Sequence, residues 1–266
     1  MVGGPAVRWS AVRAGRLGML VGMSASPASP VTPTPVIFDL DGTLVDSEPN
    51  YYEAGRRLLA GYDVPDYSWE QHARFIGIGT RETLEILGAE YRIDAPVDEL
   101  LAGQNRLYLE LARAHTEVFP EMRRLVRRLS AAGHPMAVAS GSSRAAIEVV
   151  LAGTGLDGLL PTVVSAEEVA RGKPEPDVFL EAARRLGVAP ADCVVLEDAA
   201  PGALAAARAG MRCIAVPYMP GTADDPGFAD AGLLFRGGQR DFTARAAYEW
   251  LGRAAGQPAG EAARPS

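Results

Sequence analysis

Two cysteines in 266 residues, Cys193 and Cys213, are too few and too far apart for a disulfide framework or a thiolate metal site. Each lies in an apolar, strand-like run and reads as a buried free thiol in a reducing, cytoplasmic setting. Positive charge is also short: Lys and Arg total 26 against 33 Asp and Glu, a net charge of −7. That balance argues against a general binder of nucleic acid or anionic membranes, while allowing a small basic pocket. No uninterrupted apolar stretch is long enough to span a bilayer. The three histidines, His72, His115 and His134, lack metal or triad spacing and read as surface or cap residues. What remains is 48% hydrophobic and 22% charged, enough apolar material for a substantial core.

Residues 1–34 are rich in Gly, Ala, Arg, Ser and Pro and read as a disordered leader, or as a mis-assigned start with Met19 or Met23 as the working one. Arg13 and Arg16 precede an apolar stretch as in a signal peptide, but Gly18 and Gly22 break it. Residues 255–266 read as a disordered tail. Between these lie six short runs that are apolar on both faces, at 35–40, 135–140, 162–166, 193–198, 212–217 and 232–235. Helical periodicity separates them, as in Met122, Leu125, Val126 and Leu129, or Phe179, Ala182, Ala183 and Leu186. The alternation predicts an α/β fold with a doubly wound, Rossmann-like parallel sheet. One interval, 47–118, carries helical patterns and no strand, marked by Leu84, Leu87 and Tyr91 and by Val97, Leu100, Leu107, Tyr108 and Leu111. It predicts an inserted all-α cap domain, with residues 35–46 and 119–254 forming the core.

Ligands in open α/β sheets gather at the carboxyl ends of strands, and four of these strands end in polar groups. The first gives Asp39 and Asp41, the second Ser140 and Gly141, the third leads to Lys173, and the fourth ends in Glu197 and Asp198. Four acids together would repel unless a cation intervened, and oxygen-only donors of this hardness suit Mg²⁺. A lysine, a hydroxyl and amides at a helix start add the features of a phosphoryl site. A carboxylate can attack phosphorus, and a second one two residues on can protonate the leaving oxygen.

The sequence Asp39-Leu40-Asp41-Gly42-Thr43, with Ser140, Lys173 and Glu197-Asp198, resembles the four motifs of the haloacid dehalogenase-like superfamily over about residues 35–250. The helical insert after the first motif is similar to the cap of the group containing beta-phosphoglucomutase and sugar-phosphate phosphatases. The resemblance implies Asp39 as nucleophile and Asp41 as general acid/base. It implies Mg²⁺ held by Asp39, the Asp41 carbonyl and Asp198, with Glu197 in support, and a phosphoryl group held by Ser140, Gly141 and Lys173. It also aligns Arg81 with a cap arginine that touches the distal part of the substrate, the null being a solvated side chain beyond a glycine turn. Thr80 reads as the N-cap of the helix that follows.

Within the family, Asp41 argues against a dehalogenase, and the lack of lysine between Ser47 and His115 argues against a phosphonatase. The mutase's cap histidine is replaced by Tyr51, and its lysine and asparagine after the motif-two serine by Ser143 and Arg144. Tyr51 and Tyr52 read as packing residues. The resulting expectation is a phosphatase of a small phosphorylated metabolite, sugar or polyol phosphate favoured, acting as a monomer or small homo-oligomer. The alternatives are a phosphomutase and a phosphate-binding or regulatory protein without useful turnover.

Overall fold

The structure is a computed structural model that describes residues 1–4 and 33–254, and all that follows lies in the compact unit Thr32–Ser266. The expectations for residues 5–32 and for the tail 255–266 fall outside the described residues. In chain order the strands are β1 (Val36–Phe38), β2 (Val45–Asp46), β3 (Glu117–Val118), β4 (Met136–Ser140), β5 (Thr162–Ser165), β6 (Val194–Glu197), β7 (Arg212–Ala215) and β8 (Leu233–Leu234). The helices are α1 (Glu48–Ala60), α2 (Trp69–Ala73), α3 (Thr80–Tyr91), α4 (Val97–Ala114), α5 (Pro120–Ala131), α6 (Arg144–Thr154), α7 (Asp177–Leu186), α8 (Ala200–Arg208) and α9 (Ala244–Ala254).

Six strands form one all-parallel sheet in the order β5-β4-β1-β6-β7-β8, and each coincides with one of the six apolar runs. Alternate residues of β1 face opposite sides: Val36 and Phe38 pack into one core with α5 and α6, Ile37 into the other with α7 and α8. The sheet is therefore doubly wound, as its two-sided apolarity predicts. The chain leaves β1, fills one side through β4 and β5, then returns to the other side of β1 with β6. That reversal makes the carboxyl ends of β4, β1 and β6 the switch point where such sheets bind ligands.

The helices follow from local rules. In α5, Pro120 occupies the first turn, where its missing N–H is not needed, and Glu121 faces the positive end of the helix dipole. Met122, Leu125, Val126 and Leu129 are fully buried on one stripe. Ser143 caps α6 by accepting the Ala146 N–H at 3.3 Å, and Gly155 ends that helix in the left-handed region.

The interval without a sheet strand holds α1 to α4, which share apolar clusters of their own around Leu59, Tyr67, Phe75 and Leu87 and around Leu58, Leu84 and Leu100. The entry and exit of this insert pair with each other as β2 and β3, antiparallel, with Val45 opposite Val118 and Asp46 opposite Glu117. This two-residue ribbon was not legible in the sequence, being too short to carry a period. It brings both ends of the insert to one point beside β1. Among the described residues no helix is long and apolar enough to cross a membrane, and Cys193 and Cys213 are free and buried.

Phe38 is fully buried at the centre of the larger core. Phe38→Ala is expected to lower the unfolding free energy by about 3–5 kcal/mol, measured by urea denaturation. A loss within about 0.5 kcal/mol, typical of surface changes, would contradict that placement.

Candidate active site

Parallel register sets the first pair of acids side by side. Phe38 lies opposite Leu196, so the chains leave β1 and β6 together, with the Asp39 N–H donating to the Leu196 carbonyl at 3.0 Å. Asp39, Glu197 and Asp198 are 5%, 1% and 6% exposed, and one oxygen from each lies within 4.8 Å of the other two. Between them stands Lys173, whose Nζ donates to Asp39 Oδ1 and Glu197 Oε1, each at 2.5 Å. The backbone N–H groups of Asp198 and Ala199 donate to the other Glu197 oxygen at 3.1 and 3.3 Å. Thr43 Oγ1 donates to Asp198 Oδ1 at 3.0 Å.

Two glycines make the close approach possible. Gly42 has φ +78°, and a Cβ there would sit 2.3 Å from Asp198 Oδ2. A Cβ on Gly202 would lie 1.9 Å from Glu197 Oε1. The turn after β1 and the first turn of α8 thus press bare backbone against the carboxylates.

The electrostatics follow from burial. Desolvation raises the Asp39 carboxyl to about 8, Lys173 pulling it down while Glu197 and Asp41 push it further up. Burial also raises Asp198 well above the usual range, and the charges of Glu197 and Asp39 add to the effect. Burial alone would lower the Lys173 ammonium, but attraction from Asp39 and Glu197 outweighs it and holds the group above its ordinary value. Three buried acids facing one lysine form a hard, oxygen-only donor set still short of positive charge, which fits a divalent cation.

Asp41 belongs to a different arrangement. Its Oδ1 accepts from Ser47 at 2.6 Å, and its Oδ2 from Ser140 at 3.1 Å and Ser142 at 2.6 Å. Ser140 is fully buried, its hydroxyl turned to Asp41 and accepting the Ser142 N–H at 3.0 Å. Gly141, Ser142 and Lys173 line a cavity of about 220 Å³ that runs from these acids into the helical insert.

The structure therefore brings together Asp39, Asp41, Ser140, Gly141, Lys173, Glu197 and Asp198, and leaves Arg81 apart. Helix α3 starts at Thr80, with Gly79 rather than Thr80 at the N-cap position. Thr80 consequently faces the cavity, while Arg81 pairs with Asp98 at 2.7 Å on the exposed surface. Neighbouring helical residues point about 100° apart, so a one-residue difference in register decides which of the two reaches the cavity.

The sequence places Tyr51 among packing residues and His72 among surface or cap residues and does not single out Glu48 or Gln104, yet all four line the cavity. Tyr51 stacks on Tyr108 with ring centroids 4.0 Å apart, and its hydroxyl meets Ser142 Oγ at 2.6 Å. His72 is buried and bonds Glu48 through Nε2 at 2.9 Å. Gln104 completes the wall, donating to the Tyr51 carbonyl at 3.2 Å. One compositional signal was available: Lys173 is the only lysine in the chain.

Residues 36–210 match the family model of haloacid dehalogenase-like hydrolases, and the chain belongs to that family. It is 36% identical over 189 residues to the bifunctional riboflavin kinase/FMN phosphatase of Arabidopsis thaliana, a match covering 70% of this chain and 48% of that protein. The chain thus spans about half the length of that relative. It is 33% identical to the phosphorylated carbohydrates phosphatase of Thermotoga maritima, covering 67% of this chain and 82% of that one. Among solved structures, beta-phosphoglucomutase from Clostridium difficile shares the fold with a TM-score of 0.71 at 22% identity, covering 85% of this chain and all of that one.

A carboxyl raised in the folded state stabilises the fold below its unfolded pKa, and that stability is lost as pH rises through the folded value. Without divalent cations the protein is therefore expected to lose stability between roughly pH 4 and pH 8, and less steeply in Asp39→Asn. Cation binding requires ionised carboxylates, so added Mg²⁺ is expected to raise the Tm more at pH 8 than at pH 6. Thermal scans read both effects. A cation increment independent of pH would move the titration to other groups.

Proposed function

We propose that this hydrolase is a Mg²⁺-dependent phosphatase that cleaves a small phosphorylated metabolite, sugar or polyol phosphates favoured, through an aspartyl-phosphate. The observation that carries the reading is the Lys173 bridge between Asp39 and Glu197 at the sheet's switch point, with Asp41 held separately by three hydroxyls. One carboxylate is placed among charges that an anionic substrate needs. The other is placed among groups that orient it for proton transfer.

In this reading residues 35–46 and 119–254 are the core and 47–118 the cap. An Asp39 oxygen attacks phosphorus, forming the acyl-phosphate bond as the bond to the leaving oxygen breaks. Asp41 gives its proton to that oxygen, then takes one from the water that cleaves the acyl-phosphate. Ser140, Gly141 and Lys173 hold the phosphoryl group, the Gly141 amide and the Lys173 ammonium offsetting its charge. Asp39, Asp198 and the Asp41 carbonyl would hold Mg²⁺, with Glu197 in support, and the ion would neutralise charge as two anions approach.

The phosphatase reading is preferred to the mutase one because of Tyr51. It stands where a mutase histidine is expected, and its phenol is bonded to Ser142. Burial, reinforced by the nearby Asp41 charge, raises that phenol well above its ordinary value. A neutral phenol does not exchange protons near neutral pH as an imidazole does. The name of the Thermotoga relative, which concerns phosphorylated carbohydrates, supports the substrate class.

Phosphate release from sugar, polyol, glycolate and nucleoside monophosphates, with and without Mg²⁺, tests the reading. Release is expected from a few compounds, dependent on the metal. Asp39→Asn should abolish it, and Asp41→Asn should lower kcat by about 10²–10⁴-fold. Wild-type turnover in Asp39→Asn would remove the nucleophile assignment. Interconversion of hexose phosphates with a bisphosphate activator, without net release, would turn the reading to a mutase.

A further inference from the structure

The wall that the insert presents to the cavity bears no free positive charge. Among the described residues lining the cavity, Lys173 is the one Lys or Arg, and its ammonium is already shared by Asp39 and Glu197. The insert's arginines are turned outward: Arg56 and Arg57 pair with Glu53, Arg74 with Glu90, and Arg81 with Asp98. None of them lines the cavity. In their place stand Glu48 and His72, both buried and bonded to each other.

Leu59, Phe75, Leu84 and Leu87 form the apolar part of the wall, and its polar residues Tyr51, Tyr67, Thr80, Thr83 and Gln104 carry no charge. Of these, Gln104 is 5% exposed, and its Nε2 donates to the Tyr51 carbonyl at 3.2 Å.

We infer that the substrate's part remote from the phosphoryl group carries no negative charge. It lays an apolar or ring face on Leu59, Phe75 and Leu84 and offers hydroxyl or N–H donors to Glu48. This deepens the phosphatase reading and rests on it. With Asp41 protonated to act as the acid, one lysine and one divalent cation would offset Asp39, Glu197 and Asp198 and leave no positive charge over for a second anion. A second phosphate or a carboxylate would then be desolvated beside Glu48 with no partner, which is strongly unfavourable. Bisphosphates and phospho-carboxylates are accordingly excluded, and with them the bisphosphate that a mutase has to hold.

The test uses two pairs of compounds matched in scaffold and differing in distal charge: glycerol 3-phosphate against 3-phosphoglycerate, and a hexose monophosphate against the hexose 1,6-bisphosphate. Phosphate release gives kcat/KM for each. Calorimetric binding to the full chain with Mg²⁺ reads the preference whether or not phosphate is released. The neutral member of at least one pair is expected to be favoured by at least about a hundredfold, with no pair reversed. Thr80→Arg, which adds a cation to the cavity wall, is expected to improve the anionic member about tenfold. Glu48→Gln should narrow the gap in the same direction, and Tm measurements establish that each variant is folded. Equal or better use of the anionic members would overturn the inference and leave the phosphatase standing. Binding with the expected preference but no release from any compound would overturn the phosphatase reading alone. Binding of neither member of either pair would overturn the inference.

Discussion

The ammonium of Lys173, bonded to both Asp39 and Glu197, is the contact on which the arrangement of this site depends. Parallel register of β1 and β6 forces those two carboxylates together, and Asp198 follows one residue later. Burying three acids at neighbouring strand ends is unfavourable unless protons or cations are held among them. The raised values at Asp39 and Asp198 show that one lysine meets only part of this demand. The unmet remainder is what a cation bound there would supply, and the acids that burden the fold would then create the affinity.

Composition bears on this contact. The chain has 26 basic residues, of which one is lysine. On the surface arginine serves throughout, in exposed pairs such as Arg74–Glu90 and Arg184–Glu181. Such pairs contribute little and tolerate either cation. Lys173 is 13% exposed by its side chain and bridges carboxylates on two strands. A compact ammonium with rotatable donors fits between two close oxygens where a wide planar guanidinium, built for bidentate pairing with one carboxylate, would not. A strong preference for arginine yields only where geometry requires the smaller cation.

This explains what the sequence made legible. Strand ends could be read because two-sided apolar runs stop abruptly at charged residues, as at Val36–Phe38 before Asp39 and Val194–Leu196 before Glu197. The site residues on those ends came together as expected because a parallel sheet aligns its carboxyl ends. The insert was legible as helices, yet its cavity face was not. Tyr51, Glu48, His72 and Gln104 come from three helices whose mutual rotation is set by packing among Leu58, Leu59, Tyr67 and Leu100. Periodicity identifies which side of a helix is apolar, and here that side packs partly into the insert's own clusters and partly onto the cavity. The exchange of Arg81 for Thr80 has the same origin. A helix beginning one residue earlier carries the arginine out of the cavity.

Asp41 joins the two parts of the molecule. Ser47, which precedes α1, donates to one of its oxygens, while Ser140 and Ser142 from the end of β4 donate to the other. Tyr51, one turn into α1, meets Ser142 from the insert side. The carboxylate is thus held by hydroxyls from both walls of the cavity, and its orientation depends on how α1 sits against the sheet. The β2–β3 ribbon fixes the point where α1 leaves the core, only a few residues beyond Asp41. The division of labour follows from connectivity. The sheet holds the charged residues in place, the helices α1 to α4 form the facing wall of the cavity, and the shortest path between them runs through Asp41.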